Sequence, residues 1–191
     1  MELILASTST YRAALLARFG LSFRSIAPRV DEDDWKARGL APAELARTLA
    51  AAKALSLAEE FPDAAILGGD QLVAVGGEVL GKPGDAQGAR RQLVRLAGRT
   101  HELVTAIAVW ADGNIYEHVD IARLTMRDLS AAEIARYVEV DLPTDCAGSY
   151  KLESLGVALF ERIEAADHSA ITGLPLMALS GILRRLNFQI P

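Results

Sequence analysis

Cysteine is nearly absent: Cys146 is the single one in 191 residues. An intrachain disulfide and a cysteine-cluster zinc site are therefore excluded, and a reducing compartment, the cytoplasm, is expected. Positive charge is also scarce. Acidic side chains outnumber basic ones 25 to 20, leaving a net charge of −5. Nucleic-acid polymers are held by clustered cations, so no such partner is expected, although a single nucleotide needs only a few local ones. No stretch approaches the roughly 18 apolar residues of a membrane span. The opening MELILASTST has no basic segment before its short apolar run, so neither a membrane partner nor a signal peptide is expected.

Several catalytic signatures are missing as well: the chain has no G-x-G-x-x-G, G-x-S-x-G, H-E-x-x-H or C-x-x-C. Gly76–Pro83 has the spacing of a phosphate-binding P-loop, but Pro83 stands where Ser or Thr would supply the Mg²⁺ hydroxyl, and it removes a backbone N–H from the cradle. A hairpin turn at Gly76-Gly77 explains the glycines better. His101, His118 and His168 are scattered and read as surface or strand residues, and Cys146 reads as a small buried hydrophobe.

What is present is the balance of a globular protein, 51% hydrophobic and 24% charged. The length suits one domain over residues 1–191, whole or divided into two lobes. Strand and helix patterns alternate. Strands are expected at Leu3–Ala6, Phe23–Ala27, His101–Trp110, Ile115–Met126 and Val157–Ile163. Helices are expected at Tyr11–Phe19, from Pro42, at Ala86–Ala97, from the Ser130/Glu133 capping box, and from Leu174-Pro175. Asp31–Asp34 reads as an acidic loop, and Asp112-Gly113-Asn114 as a hairpin turn. The fold class is α/β with a mixed sheet.

Two residues conflict with their surroundings. Lys53 shares a helix stripe with Ala46, Leu49, Ala50 and Leu57. Its ammonium must either snorkel to water or meet an anion inside, for which a phosphate is suitable. Asp70 interrupts the apolar run Ile66–Val73 after Gly68-Gly69. It marks either a tight turn or a carboxylate in a partly buried site, satisfied there by a metal or a water; the two glycines would let a bulky ligand approach. Only four lysines occur, Lys36, Lys53, Lys82 and Lys151, beside 16 arginines, so each lysine position is worth following. Ser7-Thr8-Ser9-Thr10-Tyr11-Arg12 collects hydroxyls, backbone N–H groups and a guanidinium at a helix start, a sound anion site.

Together Arg12, Lys53, Lys82, Glu32 and Asp70 form a set suited to a metal-bound triphosphate. These residues, with Leu5–Ser9, Val30-Asp31-Glu32, Gly69-Asp70, Gly81-Lys82-Pro83, Ala147–Tyr150 and Gly173–Leu176, resemble the Maf family of nucleoside triphosphate pyrophosphatases over essentially the whole chain. The resemblance implies a two-lobed Maf/ITPase-like fold with a twisted mixed sheet, an active-site cleft between lobes, and a homodimer. It implies Mg²⁺- or Mn²⁺-dependent hydrolysis of a nucleoside triphosphate to monophosphate and pyrophosphate, as house-cleaning of non-standard nucleotides. Asp70 would be the general base, and Glu32 with Asp70 would hold the metal. Arg12, Lys53 and Lys82 would bind phosphates beside Ser7 and Ser9. Where the family often has Pro, this chain has Thr10.

Within the family the chain is most similar to the 7-methyl-GTP branch, through Asp70-Gln71, Cys146–Ser149 followed by Glu153, and Phe160-Glu161-Arg162. Methylated guanine is cationic, so Glu153 could neutralise it and accept from its edge, while Tyr11, where the branch often has Trp, could stack on it for about 0.5–2 kcal/mol. Tyr11, Gln71 and Glu153 are therefore the expected specificity residues. A dTTP/UTP pyrophosphatase is the alternative within the family. A sugar or polyphosphate phosphatase, and a non-catalytic nucleotide-binding regulator of septum formation, lie outside that reaction.

Overall fold

The computed structural model describes Met1–Ile190. Seven strands form one mixed sheet. They are β1 (Glu2–Ala6), β2 (Arg24–Ile26), β3 (Ala64–Val75), β4 (Glu78–Leu80), β5 (Thr100–Ala111), β6 (Asn114–Met126) and β7 (Phe160–Glu164). Their order is β2-β1-β3-β5-β6-β7, with β4 paired to β3. β1 runs parallel to both β2 and β3, whereas β3–β4 and β6–β7 are antiparallel. The helices are α1 (Thr10–Ala17), α2 (Glu32–Lys36), α3 (Pro42–Leu55), α4 (Ala86–Leu96), α5 (Ala131–Asp141), α6 (His168–Ile171) and α7 (Leu176–Arg185). No helix among the described residues is long and apolar enough to cross a membrane.

The chain divides into two compact units. The first holds Met1–Gln71, Thr105–Asp120 and the chain from Asp167 onward; the second holds Leu72–Val104 and Ile121–Ala166. The long strands β3, β5 and β6 each give residues to both.

In the first unit, the inner strands β1 and β3 are buried along almost their whole length, as their continuous apolar runs require. Leu3, Leu5, Ala65, Leu67, Ile107 and Val109 of the sheet meet Leu15 and Leu16 of α1 and Leu179, Ile182 and Leu183 of α7. Pro42 starts α3 as its first residue, where its missing N–H costs nothing. Gly68 has a steric reason: a Cβ there would lie 2.1 Å from the backbone oxygen of Ala50, so only glycine lets α3 come this close to β3.

The second unit begins with the β3–β4 hairpin, whose turn residues Gly76 and Gly77 both have positive φ, as a two-residue turn of this hand demands. α4 packs on α5. Asp85 caps α4, and Ser130 with Glu133 forms the expected capping box on α5. Lys151 donates to the carbonyls of Asp141 and Leu142 at the end of α5.

Two expectations need correction, and one of two open alternatives falls away. Asp31–Asp34 is not a loop: Asp31 caps the short helix α2, whose first turn carries Glu32, Asp33 and Asp34, where negative charge meets the positive end of the helix dipole. Gly68-Gly69-Asp70 is not a turn, because β3 runs through it without a break. The strand expected from Val157 starts at Phe160, with a 3₁₀ turn over Leu155–Leu159 before it.

Candidate active site

β1 ends at Ala6, and the chain turns at Ser7 into α1. Ser9 caps that helix, its Oγ accepting from the N–H of Arg12 at 3.3 Å. Ser7 Oγ accepts from the N–H of Ser9 at 3.1 Å and from an Arg12 Nη at 3.5 Å. Among the described residues neither hydroxyl donates, so both O–H groups remain available to an anion. Arg12 reaches back along the sheet. Its Nε donates to the carbonyl of Gly173 at 3.3 Å, and Cβ atoms at Gly69 or Gly173 would sit 3.3 and 3.5 Å from its side chain. The two glycines thus admit the arginine arm. Gly68 admits α3, so the pair Gly68-Gly69 makes room for protein rather than for a bulky ligand.

Lys53 answers the conflict read from its helix stripe. It is 6% exposed and does not snorkel. Its Nζ lies 2.7 Å from Asp70 Oδ1 and 2.8 Å from Glu32 Oε1. The anions it meets in this structure are carboxylates. Lys36, one turn beyond Glu32 on α2, lies 3.3 Å from Glu32 Oε2. Asp70 is 5% exposed, and its Oδ2 has no hydrogen-bond partner among the described residues.

The electrostatics follow from burial and these contacts. Burial pushes the Asp70 carboxyl above its ordinary range, while the charges of Lys53 and Arg12 pull against that rise. For Glu32, burial also pushes upward, but the hydrogen bonds and charges of Lys53 and Lys36 outweigh it and hold this carboxyl low. Burial draws the Arg12 guanidinium below its ordinary value, and the charges of Asp70 and Glu32 oppose the shift.

Five of the expected residues therefore share one neighbourhood in the first unit: Ser7, Arg12, Glu32, Lys53 and Asp70, with Ser9 anchoring the turn. Tyr11 stands in the first turn of α1, 47% exposed. Gln71 follows Asp70 on β3, so its side chain points to the opposite face. Its Nε2 donates to Thr105 Oγ1, to the Ala170 carbonyl and to the Ile171 carbonyl, at 2.9 to 3.1 Å.

Lys82 and Glu153 belong to the second unit, and both are exposed. Lys82 lines a cavity of about 220 Å³ with Pro83, Gly88, Arg91, Gln92 and Arg95. Gln92 holds that corner, donating to the Gly81 carbonyl at 2.8 Å and accepting from Ser149 Oγ at 2.7 Å. Cys146 is half-buried rather than enclosed; burial pushes its thiol up to about 11. His101 is a buried residue of β5.

Lys36, Thr105 and Gly173 were not singled out as site residues. Lys36 carried a signal, standing four residues after Glu32, the spacing of an ion pair on one helix face. Thr105 and Gly173 contribute through contacts 34 and 161 residues away in the chain, which no local pattern reveals.

The donor set suits a hard divalent cation. Among the described residues no cluster of three or more His, Cys, Asp or Glu occurs, so an all-protein cage is absent. Two carboxylates are present, one with an unpartnered buried oxygen. Mg²⁺ commonly binds in just this way, through one or two carboxylates and the substrate's phosphates.

A family model described as Maf-like protein matches residues 2–186. The chain is 46% identical over 186 residues to a protein named 7-methyl-GTP pyrophosphatase from Bdellovibrio bacteriovorus, covering 97% of both chains. It is 44% identical to a protein of the same name from Xanthomonas axonopodis pv. citri, covering 100% of this chain and 99% of that one. A third, from Bordetella pertussis, is 47% identical and covers 98% and 94%. Among solved structures, a HAM1 protein from Coxiella burnetii superposes with a TM-score of 0.51 over 98% of each chain, at 13% identity; that likeness concerns the fold alone.

Proposed function

Because the chain belongs to the Maf-like protein family, we propose that it is a nucleoside triphosphate pyrophosphatase whose preferred substrate is 7-methyl-GTP. The observation that carries the reaction is Asp70. It is a buried carboxylate with one oxygen unpartnered, set beside a lysine and near an arginine whose charge it feels. The names of three relatives at 44–47% identity support the choice of nucleotide.

Water adds to the α-phosphorus, the bond from that phosphorus to the bridging oxygen breaks, and pyrophosphate leaves. Asp70 takes the proton from the attacking water. Burial raises its affinity for that proton, making it a stronger base than an exposed carboxylate. Arg12 and Lys53 bind phosphate oxygens and hold them as charge develops, the contribution of fixed cations to such a reaction. The free hydroxyl hydrogens of Ser7 and Ser9 donate to the same anion. Glu32 and Asp70 would hold a divalent cation, which supplies charge neutralisation on the triphosphate when bound. For Lys82 as a further phosphate ligand, and for Tyr11, Gln71 and Glu153 as readers of the base, the support is the family resemblance. For Lys82 the cationic lining of its cavity adds to it.

The test is pyrophosphate release by the purified protein with Mg²⁺ from 7-methyl-GTP, GTP, dTTP, UTP and CTP, with Asp70→Asn as control. Preference for 7-methyl-GTP over GTP is expected. Preference for dTTP or UTP would keep the mechanism and overturn the substrate. No turnover on any of them would bring forward a nucleotide-binding regulator.

A further inference from the structure

The same carboxylates that suit a divalent cation are already engaged by ammonium groups. Lys53 Nζ holds Glu32 Oε1 at 2.8 Å and Asp70 Oδ1 at 2.7 Å. Lys36 Nζ holds Glu32 Oε2 at 3.3 Å. Of the four carboxylate oxygens, three have a lysine and only Asp70 Oδ2 has none. With Arg12 close enough for its charge to act on both acids, three cations attend two anions before any metal arrives.

A free divalent cation bridging the half-exposed Glu32 and the buried Asp70 would meet the buried Lys53 ammonium at close range, where like charges repel. It would also have to displace hydrogen bonds that are short and charge-assisted. The ammonium needs another acceptor before it can release both acids, and a triphosphate is the anion this site is built to receive.

We propose that Lys53 bars a free divalent cation from the Glu32–Asp70 pair and yields the pair when a substrate phosphate takes its ammonium, so that metal and nucleotide bind interdependently. The proposal rests on the reading of these two acids as metal ligands. It assigns Lys53 a task beyond holding phosphate: it keeps the empty site charge-balanced and makes metal entry conditional on substrate. By linkage the dependence is mutual, so the nucleotide tightens the metal by the same factor that the metal tightens the nucleotide.

The test is Mn²⁺ binding, followed by the electron paramagnetic resonance of the free ion, with no turnover involved. Mn²⁺ is titrated alone and together with a GTP analogue whose α–β bridge is non-hydrolysable, the analogue's own chelation being measured separately. The wild-type protein is expected to bind Mn²⁺ alone weakly, and at least tenfold more tightly with the analogue. Lys53→Met is expected to bind Mn²⁺ alone at least tenfold more tightly than wild type, and to lose most of the analogue's effect. Lys53→Arg, which keeps the charge, is expected to behave like wild type towards Mn²⁺ alone. Circular dichroism verifies each fold, and Lys53→Gln replaces Lys53→Met should the latter not fold. Equal Mn²⁺ affinity in folded wild type and the neutral variant would overturn the proposal, as would a wild-type affinity that the analogue leaves unchanged. No Mn²⁺ binding in any variant, with or without the analogue, would instead overturn the assignment of Glu32 and Asp70 as metal ligands.

Discussion

In the first unit the buried polar side chains include full charges: Lys53 and Asp70 are 6% and 5% exposed and touch each other. In the second, the buried His101, Tyr150 and Ser149 are neutral. Burial draws the imidazole of His101 down to about 4, its Nε2 lies 3.0 Å from the Tyr150 hydroxyl, and its ring packs near those of Tyr150 and Phe160. Ser149 Oγ donates to Gln92. Burying ions costs several kcal/mol apiece, and the attraction between them often only offsets that cost. Neutral groups carry a smaller burden, although one ring nitrogen here, His101 Nδ1, is buried without a partner among the described residues. The Lys53–Asp70 pair is therefore a poor candidate for a stability device and a good one for chemistry, unlike the buried Asp167 of the same unit, which caps α6 and accepts from Met177 N–H, and unlike the second unit's buried polar groups, which hold structure.

Four experiments would break or sharpen that contrast. The largest effect is expected from Asp70→Asn, which should lower turnover of every nucleotide by about 10²–10⁴, the usual worth of a general base. Lys53 keeps Glu32 as a partner, so the thermal midpoint should hold; a collapse of the midpoint would mean that the charges do stabilise the first unit.

His101 should matter to stability and not to chemistry. Its folded pKa of about 4 lies below the ordinary value of roughly 6.5. Between those pH values the unfolded chain binds a proton that the folded chain refuses. Stability is thus complete above about pH 6.5 and falls as the pH drops towards 4, by up to about 3 kcal/mol. Denaturant titrations across that window should show the slope in wild type and lose it in His101→Phe.

A smaller, selective effect is expected of Glu153→Gln. Removing the charge should lower kcat/KM for 7-methyl-GTP about tenfold, roughly 1.4 kcal/mol, and leave UTP unchanged. Equal losses on both would deny Glu153 any role in reading the base.

The smallest effect belongs to the exposed Arg95–Glu78 pair, 2.6 Å apart on the second unit. Exposed pairs rarely contribute measurably, so Glu78→Ala should leave the melting curve where it was. A clear shift would show that charge can stabilise this unit after all.

Much of this arrangement was legible before the fold was known, because misfit is a local signal. A lysine on an apolar stripe and an aspartate inside an apolar run each demand a partner, and the two proved to be partners of each other. The Ser9 cap, the capping box on α5 and both tight hairpins are equally local, since a turn or cap is set by neighbours in the chain. What could not be read is what distance in the chain conceals. That Gly68 serves α3, Gly69 serves Arg12 and Gln71 faces α6 depends on elements brought together by the sheet. The acidic stretch misled because charged runs suggest solvated loops, although three acids after an aspartate also describe a helix start. The four-residue α6 is too short for periodicity, and only the Asp167 cap marks it.

The way the two units interleave along the chain governs how the protein can be made. The first unit needs residues from the start, the middle and the end of the sequence, and its core includes Leu174, Leu179, Ile182 and Leu183. A chain growing on the ribosome has already made Lys53 and Asp70 but still lacks the helix that closes the core around their sheet. The buried charged pair is therefore fully framed only once α7 has been made, and a product stopped before α7 would carry Lys53 and Asp70 without the core that packs beneath their sheet.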